Sequence, residues 1–391
     1  MENNHLKPAG SFETDKEDFE QQLEAFGCRI DEIDRQIVSL LTERLHEVEQ
    51  IASLKSTHNL PGYHPAREED LISNRRRQGL DAGLDADFIE ELYRLILRNS
   101  RKEQVSKLAG RPVRSDAVIL IVGGSGSMGR YFRQSFSDAG YTVRILERND
   151  WNRVDRLSDG VNLAIVGVPI ENTAEVIEQL GPHLPPDCIL ADITSVKTPP
   201  VQAMLNAHPG PVVGMHPLFG PSTSSMDKQI IVVTPGRDYE SCRWFIDQLA
   251  AWGGIIVKAS PEEHDDIMGV VQTLRHFATF TFGQFLARKR IDLHRTLEFS
   301  SPIYRLELGM VGRLFAQDPA LYSEIILASP ERRKLLKDYM ASFNDNLDMI
   351  EKGDKAIFCS EFQKIAEWFG SFSEQAMRES TYLIDKLIER F

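Results

Sequence analysis

The 391-residue sequence predicts a multidomain protein: an all-α unit first, an α/β unit built on a parallel sheet, then a second all-α unit. Three observations predict it. At roughly 150 residues per domain, the length suits two or three domains. Apolar residues recur every three or four positions from Leu23 to Leu54, and helical periodicity returns after about Pro261. Between these stretches, short continuous apolar runs alternate with helical ones, as strands covered on both faces do.

Residues 1–20 read as a polar tail. The series Leu23, Phe26, Ile30, Ile33, Ile37, Leu40, Leu41, Val48, Ile51 and Leu54 makes one amphipathic helix of over thirty residues. So long a stripe needs a helical partner or a second subunit to cover it. Two prolines and a glycine in Asn59–Arg67 end that helix. Helices over about 65–79 and 85–107 complete a domain at 21–109, and Gly110 and Pro112 mark the linker. The α/β domain covers 114–260. Its apolar runs are Ala117–Val122, Thr142–Glu147, Asn162–Val168, Cys188–Asp192, Val212–Met215, Ile230–Thr234 and Gly254–Ala259. Residues 261–391 form the last domain. Its run from Phe277 to Phe285 is apolar on more than one side, which predicts a buried helical unit and a dimer interface.

Composition excludes several functions. With 45 Lys+Arg against 58 Asp+Glu, the net charge of −13 opposes nucleic-acid and anionic-membrane partners. No apolar run approaches the ~18–20 residues of a membrane span, and no signal peptide is visible. The four cysteines are scattered without a CxxC pair, as expected of a reduced, cytoplasmic protein. His264 and His276 lie about 120° apart on an ideal helix, and no HExxH occurs, so no metal is expected.

A glycine loop, Gly124-x-Gly126-x-x-Gly129, follows the first strand and opens a helix, with Glu147 closing the second strand. The first glycine permits the turn, the second admits a pyrophosphate to the backbone, and the third lets helix pack on strand. The helix N-terminus with Ser127 and Met128 then faces the phosphates, and the apolar Val168–Pro169 shelf flanks the cofactor. A carboxylate at Glu147 accepts from ribose hydroxyls and repels a 2′-phosphate, so the sequence predicts a Rossmann domain that binds NAD rather than NADP.

Ligands in such sheets sit at the carboxyl ends of the strands. There CILAD leads to Ser195 and Lys197, and VVGM leads to His216. His216 is the candidate base, because imidazole titrates near neutrality and can take a hydroxyl proton as hydride leaves. Ser195 is placed to bridge hydroxyl and imidazole; Lys197 is placed to hold a carboxylate or shape the cofactor pocket. Arg305 and Arg313 share an apolar helix about 12 Å apart. Either guanidinium can grip a carboxylate bidentately, or pair structurally with Glu307.

The strings IVGGSGSMG, RILE, VGVPI, SVK, HPLFGP, LRHFATF, SSPIYRLEL and MVGRLFAQDP resemble the T-protein family, the bifunctional chorismate mutase–prephenate dehydrogenases of tyrosine biosynthesis. The resemblance covers the chain from about Leu23 onward. It implies NAD-dependent oxidative decarboxylation of prephenate to 4-hydroxyphenylpyruvate by a homodimer. His216 would take the C4 hydroxyl proton, Arg313 would bind the ring carboxylate with Arg305 supporting, and tyrosine would inhibit at the same site through His276.

The N-terminal helices resemble the all-helical chorismate mutase, which converts chorismate to prephenate. That pericyclic reaction needs cations for two carboxylates and a donor to the ether oxygen. Arg44 and Lys55 lie only about 20° out of register on one helix face. Arg67, Glu68 and Gln104 complete the set that the resemblance implies. One departure stands out. The family has an arginine, reaching into the partner's site, where this chain has Gly27; Arg29 points about 200° away unless the helix starts differently. The alternatives are another hydroxyacid or arogenate dehydrogenase, with the helices as a structural dimeriser, or a non-catalytic NAD sensor.

Overall fold

A computed structural model describes residues 10–57, 65–109, 111–223, 225–327 and 330–388. Helix α1 (Gly10–Thr57) begins inside the stretch expected to be a polar tail. No glycine or proline interrupts the sequence between Gly10 and Gly27, so the helix propagates through it. Helix α3 (Ala86–Ala109) packs against both α1 and α2 (Pro65–Asp81). Val48, Ala52, Ile72, Ile89 and Leu97 are buried among these helices, whereas Leu23, Phe26, Ile30, Ile33 and Ile37 stay exposed within one chain.

All seven apolar runs form strands of one sheet: β1 (Val118–Val122), β2 (Thr142–Leu146), β3 (Leu163–Val166), β4 (Ile189–Asp192), β5 (Val212–Pro217), β6 (Ile230–Pro235) and β7 (Ile255–Lys258). Their order is β2-β1-β3-β4-β5-β6-β7. Strands β1 to β5 are parallel, but β6 runs antiparallel to β5, with His216 opposite Val232. The expectation of a wholly parallel sheet is corrected here. The link 218–229 holds no helix among its described residues, and a parallel pair needs such a crossover.

Helices α4 (Ser127–Asp138), α5 (Val154–Ser158), α6 (Ile170–Leu180), α7 (Thr198–Ala207) and α8 (Arg243–Ala251) cover the sheet. Side chains alternate along β1, as a pleated strand requires. Ile119 and Ile121 join Phe132, Phe136, Phe245 and Leu249 in one core; Leu120 and Val122 join Ile177, Leu180 and Met204 in the other.

After β7 come α9 (Pro261–Met268), a π-helical turn (Gly269–Leu274), α10 (Arg275–Arg288), α11 (Leu293–Glu298) and α12 (Pro302–Phe315). Helices α13 (Pro319–Leu327), α14 (Pro330–Lys352), α15 (Lys355–Phe369) and α16 (Ser371–Ile388) end the chain. Here the sequence expectation of a buried unit fails within one protomer: α10 has no buried residue. Phe285, Phe343, Phe362 and Trp368 are likewise exposed. Among the described residues no helix is long and apolar enough to cross a membrane.

Candidate active sites

Because β1 to β5 run parallel, the glycine loop, Glu147, Val168–Pro169, Ser195, Lys197 and His216 share one sheet edge. The left-handed residue of the turn is Gly123 (φ +79°), one position before the expected Gly124. At Gly129 a Cβ would lie 2.2 Å from the Gly123 carbonyl oxygen and 2.8 Å from the Gly124 Cα, so only glycine lets α4 close on β1. Gly126 caps α4, and residues 125–127 are exposed at the helix N-terminus, a cradle that fits a pyrophosphate. Glu147 is half-buried, and its Oε1 accepts from the Ser125 amide at 2.7 Å. The acidic group therefore stands against the loop itself. Val168 is half-buried beside it, and Pro169 precedes α6.

His216 is 3% exposed and belongs to a chain of polar groups. Its Nδ1 lies 2.8 Å from His264 Nε2, and His264 Nδ1 lies 2.9 Å from Asp265 Oδ1. The local sequence explains why these groups meet. Ser260 and Glu263 form a capping box with Pro261 in the first turn, which fixes where α9 starts and presents His264 and Asp265 to β5. Asp265 also accepts from the Lys197 amide (2.8 Å) and the Thr198 amide (2.9 Å), capping α7. Burial would raise the Asp265 pKa, but the hydrogen bonds from His264, Thr198 and Lys197 outweigh it and hold the carboxyl well below its usual range.

This charged acceptor sets the tautomers. Asp265 takes the proton-bearing Nδ1 of His264, which leaves Nε2 as the ring nitrogen that can accept from His216. His216 then donates from Nδ1 and keeps its own lone pair at Nε2. Gln272 Nε2 stands 3.3 Å from that lone pair. Burial lowers the His216 pKa well below its ordinary value, with His264, Lys197 and Arg332 adding to the effect against Asp265. The arrangement is that of a neutral base with one fixed basic nitrogen.

The expectation that Lys197 holds a substrate carboxylate is corrected by its burial. Its side chain is fully inaccessible, ion-paired with Asp192, and donates to the Met215 carbonyl at 2.9 Å. Lys197 thus ties β4 to β5 immediately before His216 and touches no solvent-accessible space. Ser195 is half-buried on the same edge; among the described residues it makes no hydrogen bond to His216.

Four groups of this site lie outside the set the sequence predicts: His264, its neighbour Asp265, Gln272 and Arg332. In the sequence His264 stands out only as a metal-ligand candidate, although S-P-E-E-H-D directly after the last strand is a helix-start signature. Gln272 projects from a π-helical turn, which breaks the 100° arithmetic applied to His264 and His276. Arg332 is 4% exposed, with Nη2 3.8 Å from Asp265 Oδ1, in a helix remote in sequence. His276 is half-buried, its ring packed edge-on to Tyr322 at 4.8 Å, and burial with Arg275 lowers its pKa to about 4. Arg305 donates to the Leu297 carbonyl at 2.7 Å, while Arg313 is exposed on α12 and makes no ion pair among the described residues.

In the helical domain, Arg44 Nη1 lies 2.5 Å from Ser100 Oγ. Burial lowers the Arg44 pKa; Tyr93 opposes the shift and Arg75 adds to it. Arg67 is exposed, and both Glu68 oxygens are held by Arg101 Nη1, at 2.8 and 2.7 Å. The side chains of Lys55 and Gln104 lie outside the described residues. Gly27 and Arg29 are exposed in the interior of α1, 17 residues or more from its start. A displaced first turn that swings Arg29 into the vacant place is therefore ruled out.

Comparison with known proteins shows the family and the fold. The family models for chorismate mutase type II, the prephenate dehydrogenase nucleotide-binding domain and the prephenate dehydrogenase dimerization domain match residues 28–105, 133–257 and 260–365. The chain is 42% identical to the T-protein of Enterobacter agglomerans over 93% of this chain and 97% of that one. It is 39% identical to the T-protein of Haemophilus influenzae over 94% and 98%. Residues covering 68% of this chain superpose on 99% of the crystal structure of A. aeolicus prephenate dehydrogenase, in complex with hydroxyphenyl propionate and NAD+, at a TM-score of 0.52 and 20% identity.

Proposed function

Because the chain belongs to the family of bifunctional chorismate mutase–prephenate dehydrogenases called T-proteins, we propose that it rearranges chorismate to prephenate and oxidises prephenate with NAD. The observation that carries the second activity is the imidazole of His216, held by His264 and Asp265 on the same sheet edge as the glycine loop. NAD bound on that loop supplies the hydride acceptor. The chain supplies the rest. His216 Nε2 takes the proton of the substrate's ring hydroxyl, and His264 receives part of the resulting charge through Nδ1. Loss of the ring carboxylate as carbon dioxide makes the ring aromatic.

Arg313 is assigned to the ring carboxylate and Arg305 to its support, since an exposed guanidinium without an ion pair retains its full charge for an anion. Ser195 is assigned to orienting the hydroxyl. Tyrosine, which shares the product's ring, is assigned as an inhibitor at this site with His276 beside it. Arg44, Lys55, Arg67, Glu68 and Gln104 are assigned to the mutase reaction, where cations hold two carboxylates and no proton transfer is required. The uncovered apolar stripes of α1 and of the C-terminal helices support a homodimer, and the scattered cysteines support a cytoplasmic location.

Steady-state turnover of chorismate, and of prephenate with NAD and with NADP, tests the reading. Both substrates should turn over, with NAD clearly preferred. Equal kcat/KM with NADP refutes the role of Glu147, and no oxidation of prephenate refutes the function.

A further inference from the structure

A cluster of four charged side chains crosses from the helical domain to the α/β domain. Arg101 Nη1 holds both oxygens of Glu68, and its Nε faces Asp227 Oδ2 at 3.4 Å. Lys228 Nζ lies 3.7 Å from Glu68 Oε2. The Arg101, Glu68 and Asp227 side chains are only 9%, 16% and 17% exposed, so their interactions are screened far less than surface pairs are. The two cations and two carboxylates alternate and sum to zero charge.

Asp227 and Lys228 belong to the segment that leads from His216 and the HPLFGP turn to β6. Lys228 has φ +59°, a left-handed conformation that costs energy for a residue other than glycine or asparagine. The fold keeps it there. The Lys228 amide donates to the Gly253 carbonyl at 2.9 Å, the Gln229 amide donates to the Met226 carbonyl at 2.9 Å, and Met226 is buried in the core. The α/β domain thus fixes the backbone from which Lys228 reaches Glu68 and Asp227 reaches Arg101.

We propose that Asp227 and Lys228 are positioning residues of the mutase site, supplied by the dehydrogenase domain, which fix the Glu68 carboxylate through Arg101 and Lys228. This rests on the assignment of Glu68 to the mutase reaction above. A substrate carrying two carboxylates meets a Glu68 whose charge is already balanced and whose rotamer is set. Without the clasp, Glu68 presents an uncompensated negative charge to a dianion.

The test uses the full chain. Lys228→Asn removes the charge while tolerating the left-handed backbone, Asp227→Asn removes the carboxylate, and Lys228→Arg restores the charge. Chorismate kinetics on wild type come first. Lys228→Asn should raise the chorismate KM about 1.5- to fivefold, the range for an ion pair at 3.7 Å whose lysine is 37% exposed, with Lys228→Arg near wild type. Asp227→Asn should change it by less, because Arg101 keeps both of its bonds to Glu68. The kcat and KM for prephenate and NAD should stay within about twofold of wild type. Unchanged chorismate kinetics in Lys228→Asn overturn the proposal. A parallel loss of both activities together with thermal stability also overturns it, because the cluster is then only a structural clasp. If wild type does not turn over chorismate at all, the mutase assignment itself falls.

Discussion

Replacing His264 with leucine separates the base from the group that orients it. In the native chain, His216 donates from Nδ1 to His264, which leaves the Nε2 lone pair for the substrate proton. Leucine cannot accept. The productive tautomer then leaves a buried N–H unsatisfied at a residue 3% exposed, a cost of about 1–3 kcal/mol. The other tautomer has an alternative. Gln272 Oε1 is buried with no hydrogen-bond partner, and a flipped amide presents it to an Nε2–H. The equilibrium therefore swings toward a histidine with no lone pair facing the substrate. A difference of about 1–3 kcal/mol is a factor of about 5–150 in population. The dehydrogenase kcat of His264→Leu should fall by about 10- to 100-fold, with the prephenate KM little changed. His216→Asn, which removes the base itself, should lose about 10²–10⁴. His264→Gln, whose carbonyl can accept from Nδ1, should recover part of the loss. Stopped-flow or steady-state measurement of NADH formation with saturating prephenate reads all three. A His264→Leu enzyme with wild-type kcat refutes the tautomer argument.

The remaining predictions concern stability and the mutase site. Burial depresses the pKa of His216 and takes that of His276 to about 4, so in mildly acid solution the unfolded chain binds protons that the folded chain refuses. Stability should be flat from pH 8 to about 7 and decline as pH falls below the unfolded value of 6.5, which urea midpoints at several pH values would show; a midpoint that rises on acidification contradicts it. Lys197→Met strands Asp192, itself fully buried, and should cost about 3–5 kcal/mol; an unchanged melting temperature means the pair is dispensable. Gly27→Arg meets no atom within 4 Å of the new Cβ and restores the charge that the family resemblance implies at that position. A charged hydrogen bond worth about 1.5–3 kcal/mol should lower the chorismate KM by about one to two powers of ten, and an unchanged KM places that helix face away from the site.

Read alone, the amino-acid order predicts an all-α, an α/β and a second all-α unit, all seven strands, and the sheet edge that carries the glycine loop and His216. Continuous apolar runs such as VILIV and LAIV fit only strands buried on both faces, and the glycine loop and His216 each lie where such a strand ends. These are local facts, set by period and by turn chemistry. Folding settles whatever depends on two distant segments meeting. Lys197 looks from its position like a ligand for substrate, and only the packing of β4 against β5 shows it sealed beside Asp192. His264, 48 positions after His216, becomes its partner because the Ser260 cap starts α9 at Pro261 and the helix packs on β6 and α7. Gln272 joins them because a π-helical turn changes the register, which no period of 100° anticipates. The direction of β6 and the clasp between Glu68 and Lys228 likewise follow from a link without a helix and from a backbone held at positive φ. Side chains acquire their partners from neighbours that sequence spacing does not rank, here the carboxylate of Asp265 and the buried imidazoles beside it.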